Sequence, residues 1–449
     1  MEYNFERDIK FLVGDKALRR SVKEINNLGA RRALLICDEM SDRVGQLKDM
    51  LRQFNKEVNI VDKVKNIGDI ATVEDCEKTL RAYKAGECDS IIVLGKKSAV
   101  AVAKAVKIML KDGISLISNY RNFTVNNISS IRVPLIVVPT NLSSGVEASN
   151  FVRIYDTEQN DIFEFNTSFA QTNLIVIDPL MTDTMPPKSI ATSGLHALAM
   201  AVMSLTGESE TNPLGEVYAI TSIKLLTENL KKCVLQNKIK SFRFRVLFAS
   251  ILAGYAYWQT PKDILSELSD RMSDRYRANY GNIFLILFPH YIAMHKMNAD
   301  FDSDNIINLL GDNSYLVLKN SVANRDVIVD SVKNYYKRLK TYVDYIDNLK
   351  DLGIKREDFV DIASSVISMH TDENSEYTFS FIMELLEKAY LSPEESEIAF
   401  KENSSDEPAI VKGNIDEVTA DDVKSEDSAV EEEHSIDDTT KTDTEQSVK

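Results

Sequence analysis

The chain has 449 residues, 44% of them hydrophobic and 27% charged, with a formal net charge of −16. That composition supplies a globular core, leaves room for two or three domains and offers no basic stripe for a nucleic acid. The charge is uneven: Lys401 to Lys449 holds 16 acidic and 5 basic residues, so the preceding 400 are close to balance. Unbroken apolar runs such as Ile283–Phe288 are well short of the roughly 20 residues of a membrane helix. The first residues, MEYNFERDIKF, lack the apolar core of a signal peptide, so a cytoplasmic protein is expected. The four cysteines form no CxxC pair and suggest neither a zinc cluster nor a redox motif.

In chain order, ARRALLICDEM reads as a buried strand ending at an acidic turn, and VGQLKDMLRQF as a helix with Val44, Leu47, Met50 and Leu51 on one face. VNIVDKV is a second strand. TVEDCEKTLRAYKAG is a helix opening at Thr72, with Glu74 and Asp75 in its first turn, and closing at Gly86. CDSIIVLGKKS is a third strand running into a loop, SAVAVAKAVKIMLKDG a helix and VPLIVVPT a fourth strand. Strands alternating with helices predict a parallel α/β sheet, which binds ligands at the carboxyl ends of its strands. After Pro186 the 3.6-residue period takes over. The expected organisation is an α/β nucleotide-binding-like domain over 1–185, an all-helical domain over 186–395 and a disordered acidic tail over 396–449, in which AIVKGNIDEV is a candidate partner-binding motif.

Six segments, in order, resemble the iron-containing alcohol dehydrogenase family of the dehydroquinate-synthase-like superfamily, over about residues 5–395. ALLICDEM resembles its first nucleotide-binding strand, and CDSIIVLGKKSAVAVAKAV its glycine-rich phosphate segment. PLIVVPTNLSSGVEAS resembles its PTTAGTGSE stretch, and NLIVIDPLMTDTMPPKSIATSGLHALAMAV the stretch ending in DALTHAIE. LFASILAGYAY and YGNIFLILFPHYIAMH resemble two later helical motifs. The resemblance implies a nucleotide-binding α/β half, a helical metal half and NAD(P)-dependent interconversion of an alcohol and an aldehyde or ketone.

Residue by residue, the resemblance places cofactor contacts at Asp38, Gly95, Ser98 and Thr140, Asp38 as the acid that holds a ribose hydroxyl. The family's GGGS is Gly95-Lys96-Lys97-Ser98 here, so lysine side chains stand where backbone should approach the pyrophosphate. The four metal-ligand positions are His196, Met200, Ser266 and Tyr280, with Asp270 one turn after Ser266. A catalytic Fe²⁺ or Zn²⁺ needs about three ligands from His, Asp, Glu or Cys, and of the four only His196 is an ordinary one. NAD(P) is therefore expected as the cofactor, and iron or zinc is not. His290 is expected in the core or at a helix start, while His370 has no matching motif and Asn374 keeps the Asn of a partly retained one.

Three functions remain open. The first is an oxidoreductase acting on a small alcohol or aldehyde. The second is a non-catalytic paralogue that binds or assembles with a partner through its acidic tail. The third is metal-free chemistry on a phosphorylated substrate held by Lys96, Lys97 and Lys104, with Tyr280 or His196 moving protons. A homo-oligomer is expected, and no catalytic residue is singled out.

Overall fold

The structure is a computed structural model describing residues 9–112, 132–142, 145–159, 161–206, 213–258, 260, 263–295, 303–310, 324–367 and 377–391. Chain contacts gather Met1–Ile398 into one compact unit. The acidic tail with its AIVKGNIDEV motif, His370 and Asn374 lie outside the described residues.

The first half runs β1 (Lys10–Val13), α1 (Ala17–Asn27), β2 (Ala33–Asp38), α2 (Glu39–Arg43), α3 (Gln46–Phe54), β3 (Ile60–Ile67), α4 (Val73–Ala85), β4 (Ser90–Gly95), α5 (Lys97–Asp112) and β5 (Leu135–Pro139). An antiparallel hairpin, β6 (Phe151–Asp156) with β7 (Asp161–Asn166), precedes β8 (Leu174–Ile177). The six-stranded sheet has the order β1-β8-β5-β4-β2-β3, every neighbouring pair parallel. β2, β4, β5 and β8 are buried along their whole length, as central strands covered by helices on both faces must be. The strand order reverses between β2 and β4, so the crevice at the switch point lies beyond Asp38 and Gly95.

Local signals explain most of these elements. The Thr72 hydroxyl caps α4 by accepting from the Asp75 N–H at 3.2 Å, and Gly86 ends the helix. Val44 lies outside α3 and is exposed, while Leu47 and Met50 are buried. The edge strand β1 and the hairpin β6–β7 escape the sequence reading. β1 is four residues long, and the outward polar positions of the hairpin carry functional charge, described below.

From Pro187 the described elements are helices: α6 (Pro187–Thr206), α7 (Pro213–Leu235), α8 (Lys240–Tyr257), α9 (Ile264–Tyr276), α10 (Tyr280–Met294), α11 (Ser303–Leu310), α12 (Asn324–Lys340), α13 (Phe359–Ile367) and α14 (Phe379–Tyr390). Helix α6 corrects the expectation from apolar runs. Its 20 residues are long and apolar enough to cross a membrane by length and composition, yet 83% of the apolar window is buried inside the protein. It is a core helix wrapped by α7, α8 and α10, so small and apolar residues occupy every face, and Leu195, Leu198, Ala201 and Val202 are fully buried.

Two glycines join the halves. Gly145 has φ of +60°, and a Cβ there would run into the backbone of Gly254 on α8. The loop after β5 and helix α8 therefore touch backbone to backbone, which only this glycine pair permits.

Candidate functional site

The cleft lies between the carboxyl ends of β2, β4 and β5 on one side and α6, α9 and α10 on the other. Asp38 ends β2 and is buried. Its Oδ1 accepts from the Ser41 N–H at 2.7 Å, capping α2, and its Oδ2 accepts from the Ser41 hydroxyl and the Lys96 N–H, both at 3.0 Å. The Ser41 hydroxyl is 3.1 Å from the Thr140 hydroxyl. Asp38, Ser41, Thr140 and the start of α5 thus form one internal knot, and the carboxylate expected to face a ribose is turned inward. Gly95 belongs to it: a Cβ there would sit 2.6 Å from Asp38 Oδ2 and 3.0 Å from the Ala99 Cβ. The Ser98 hydroxyl donates to the Gly68 carbonyl at 2.5 Å. All four expected cofactor residues come together, but as supports of the loop.

The lysines that replace glycine behave differently from each other. Lys96 points outward to Asp69, at 3.5 Å, whose side chain is 87% exposed. Lys97 crosses the cleft. Its ammonium is 3.1 Å from Asp270 Oδ1 on α9 and 3.8 Å from the centre of the Tyr280 ring on α10. Asp270 also meets Arg153 of β6 at 3.1 Å, and Arg153 continues to Asp274 at 2.5 Å and Glu164 of β7 at 2.9 Å. Burial pushes the Asp274 carboxyl up, with the Arg153 guanidinium pulling the other way. The flanking carboxylates raise Arg153 against the cost of its own burial, so it stays charged. Sequence reading missed Arg153, Asp274 and Glu164. Arg153 and Glu164, single charges that alternate with apolar residues in β6 and β7, were the available signal.

Lys104 is also placed otherwise than expected. It is fully buried on α5, and its ammonium donates to the carbonyls of Val146 at 2.5 Å and Ser149 at 2.7 Å. It fastens the loop after β5.

On the helical side, His196 and Met200 share one face of α6, four residues apart, and both are buried. The His196 ring meets Tyr280 and Phe284 edge-on, at centroid distances of 5.6 and 4.9 Å. Burial, assisted by the nearby Lys97 charge, lowers its pKa to about 3, so the imidazole is neutral. Its Nε2 has no hydrogen-bond partner among the described residues, nor has the Tyr280 hydroxyl. Met200 sits fully inside the helical core. Ser266 lies in the first turn of α9, and its hydroxyl donates to the Asp263 carbonyl at 2.9 Å. Burial, and then Asp270, push the Tyr280 phenol well above its ordinary value.

These four positions do not fit a catalytic divalent metal. One neutral imidazole stands with a thioether inside the core, a hydroxyl committed to its own helix and a protonated phenol, with an ammonium over the phenol ring. Divalent iron or zinc asks for about three anionic or imidazole donors and an open position. Asp270, one turn after Ser266, is engaged by two cations. His290 lies within α10, one residue after the internal Pro289, half-buried rather than at a helix start.

Three cavities flank this network. One of about 260 Å³ lies on the hairpin side between Phe151, Glu164, Tyr257, Trp258 and Ser266. The others, of about 60 and 100 Å³, lie on either side of Lys97 and Tyr280. Each is smaller than the roughly 300 Å³ at which pockets for drug-sized ligands begin.

Comparison with known proteins follows the same outline. Residues 9–179 match the family "Iron-containing alcohol dehydrogenase", and residues 190–390 match "Fe-containing alcohol dehydrogenase family, C-terminal". Long-chain-alcohol dehydrogenase 1 of Geobacillus thermodenitrificans is 25% identical over 304 residues, 67% of this chain and 76% of that protein. Among solved structures, an alcohol dehydrogenase from Oenococcus oeni superposes with a TM-score of 0.74 at 21% identity, covering 87% of this chain and all of that one. A sulfoacetaldehyde reductase from Bifidobacterium kashiwanohense, solved in complex with NAD+, gives 0.72 at 16% identity over 87% and 99% of the two chains. The doubly wound sheet, the helical half behind it and both matches place this chain in the iron-containing alcohol dehydrogenase family.

Proposed function

We propose that this chain is a member of the family that has left metal-dependent oxidoreduction and acts as a binding protein. One observation carries this reading: Lys97, standing in the phosphate loop, reaches across the cleft to Asp270 and covers Tyr280, a metal-ligand position. A side chain of the protein and its ion pairs lie where the family's chemistry needs a metal and an open approach. The acidic segment from residue 396 then supplies contact with a protein partner.

A second reading keeps the ancestral reaction, NAD(P)-dependent interconversion of an alcohol and an aldehyde. The scaffold favours it: the switch-point crevice, the Gly95 turn and the Gly145–Gly254 crossing are all retained.

Metal analysis and NADH titration on one anaerobically purified preparation separate the two. The first reading expects far less than one iron or zinc per chain, no change in NADH fluorescence and no turnover across a panel of primary alcohols and aldehydes. Near-stoichiometric metal with turnover that is lost in His196→Ala would refute it.

A further inference from the structure

The turn between α7 and α8 carries charge and apolar surface that neither the core nor the cleft uses. In a chain with 69 acidic residues, the stretch between Glu228 and Asp263 holds none, and seven of its residues are Lys or Arg. Three of these cations stand exposed about the turn: Lys232 in the last turn of α7, Lys238 before α8 and Lys240 at its start. Lys240 pairs with Asp15 at 3.0 Å. The hydrogen bond from Lys240, and then the charges of Lys240, Lys16 and Arg20, hold the Asp15 carboxyl below its ordinary value, so two exposed cations at the start of α1 join the patch. The Lys238 ammonium donates to the Asp183 carbonyl at 3.0 Å. Five cations thus stand about two carboxylates, Asp15 and Asp183, and these contacts leave a surplus of positive charge.

A second observation is independent of the charge. Leu235, the last residue of α7, is 54% exposed, and Ile239, the residue before α8, is 42% exposed. The Ile239 N–H donates to the Gln236 carbonyl at 3.0 Å, so the two aliphatic side chains belong to one tight turn. Ile239 gives α8 no side-chain cap, in a position where Ser, Thr, Asp or Asn would serve the helix. These exposures contribute little to the fold. Helix α8 rises about 25 Å from Lys240 to Tyr257 at the cleft, so the patch is remote from the site described above.

From these residues we propose that the α7–α8 turn docks on an anionic lipid surface, with Leu235 and Ile239 entering the headgroup layer and Lys16, Arg20, Lys232, Lys238 and Lys240 facing the lipid charges. The inference is independent of what occupies the cleft. Charge complementarity carries it: each basic residue at an anionic membrane surface is worth about fivefold in affinity, and clusters of this size are the sequence mark of such binding. Each half-exposed aliphatic side chain withdrawn from water adds about fivefold again. A protein partner fits the same patch less well. Four of the five cations are lysines, which protein interfaces deplete in favour of arginine, and a standard interface engages about 20–30 residues a side.

Flotation of the full chain with vesicles tests the proposal. The chain carries −16 overall, so anionic vesicles repel it unless a local patch overcomes the net charge. Binding is expected to equimolar phosphatidylserine and phosphatidylcholine and not to phosphatidylcholine alone, and it weakens as salt is raised. Lys232→Gln with Lys238→Gln lowers the affinity by about twentyfold. Leu235→Ser with Ile239→Ser lowers it by about tenfold or more and leaves the melting temperature unchanged or higher, because the serine at 239 can cap α8. No binding to the mixed vesicles, or binding that both variants retain in full, overturns the proposal. A patch that serves an acidic protein segment instead leaves the vesicles unbound, takes up a polyglutamate peptide and loses it in the lysine variant, which also overturns the membrane reading.

Discussion

The two walls of the cleft have changed in opposite directions. On the helical wall, donors expected for a metal have given way to packing: Met200 is core, Ser266 bonds its own helix and His196 is a neutral ring among aromatics. Between the two walls, backbone expected for a cofactor has given way to charge: Lys97 of α5 and Arg153 of β6 bracket Asp270 of α9, and Arg153 extends the chain to Asp274 of α9 and Glu164 of β7. The helical wall lost polarity where polarity had to be paid for with a metal. The sheet side gained cations that carboxylates of α9 and β7 compensate. A buried ion network is costly to break and confers little net stability when whole, so its place between α5, β6 and α9 points to a role in fixing the two halves in register.

The largest test of this contrast removes the centre of the network. Asp270→Asn leaves Lys97 and Arg153 facing each other without the carboxylate between them, and is expected to destabilise the fold by about 3–5 kcal/mol in urea denaturation. A loss below about 1 kcal/mol would mean that the pairs are solvated and that the charged wall carries no structural load.

A neutral histidine on α10, away from the cleft, predicts an acid weakness. Burial, and then Lys333 and Lys388, lower His290 to about 4 from an ordinary value near 6.5. The unfolded chain therefore binds a proton at this site over a range in which the folded one does not. Stability from the neutral imidazole is intact above about pH 6.5 and is lost as pH falls towards 4, by up to about 3 kcal/mol. Burial raises the carboxyls of Glu147, Asp178 and Asp274, which gives a slope of the opposite sign. The readout is accordingly the difference between His290→Gln and the unmodified chain across pH 4–7, with the variant flatter. Parallel curves would contradict a neutral, half-buried His290.

Restoring one ligand probes the apolar wall directly. Met200→His places a polar ring inside a packed core with no described partner and is expected to cost about 1–3 kcal/mol, with no rise in zinc or iron content. A variant that binds metal stoichiometrically would show the site to be latent.

Much of this was legible in the sequence, and the reason differs by feature. The sheet strands β2, β4 and β5 announce themselves as apolar runs because both faces are covered. Thr72 and Gly86 mark the ends of α4 by local chemistry that needs no tertiary context. The replaced ligand positions were legible as residue types. The Lys97–Asp270–Arg153 network was not, because Lys97 and Arg153 lie 173 and 117 residues from Asp270 and meet it only through the fold. Asp38 shows the converse: its place at the end of the first helix-flanked strand suggests a ribose contact, while its actual bonds are to Ser41 and Lys96.

That inward turn of Asp38 supplies the smallest test. Gly95 is kept although its partner glycines are gone, and the family reading assigns it to the close approach of a pyrophosphate. In this fold its hydrogen faces Asp38 Oδ2, and a methyl group would stand 2.6 Å from that oxygen. Gly95→Ala must therefore push the carboxylate away from the Ser41 and Lys96 N–H groups it caps, at a cost of about 1–2 kcal/mol in thermal or urea denaturation. If the glycine serves the knot, Asp38→Asn in the same background adds little further loss, because the interaction it would weaken is already broken. If it serves only the cofactor cleft instead, Gly95→Ala leaves the free protein's stability unchanged and Asp38→Asn alone carries the loss.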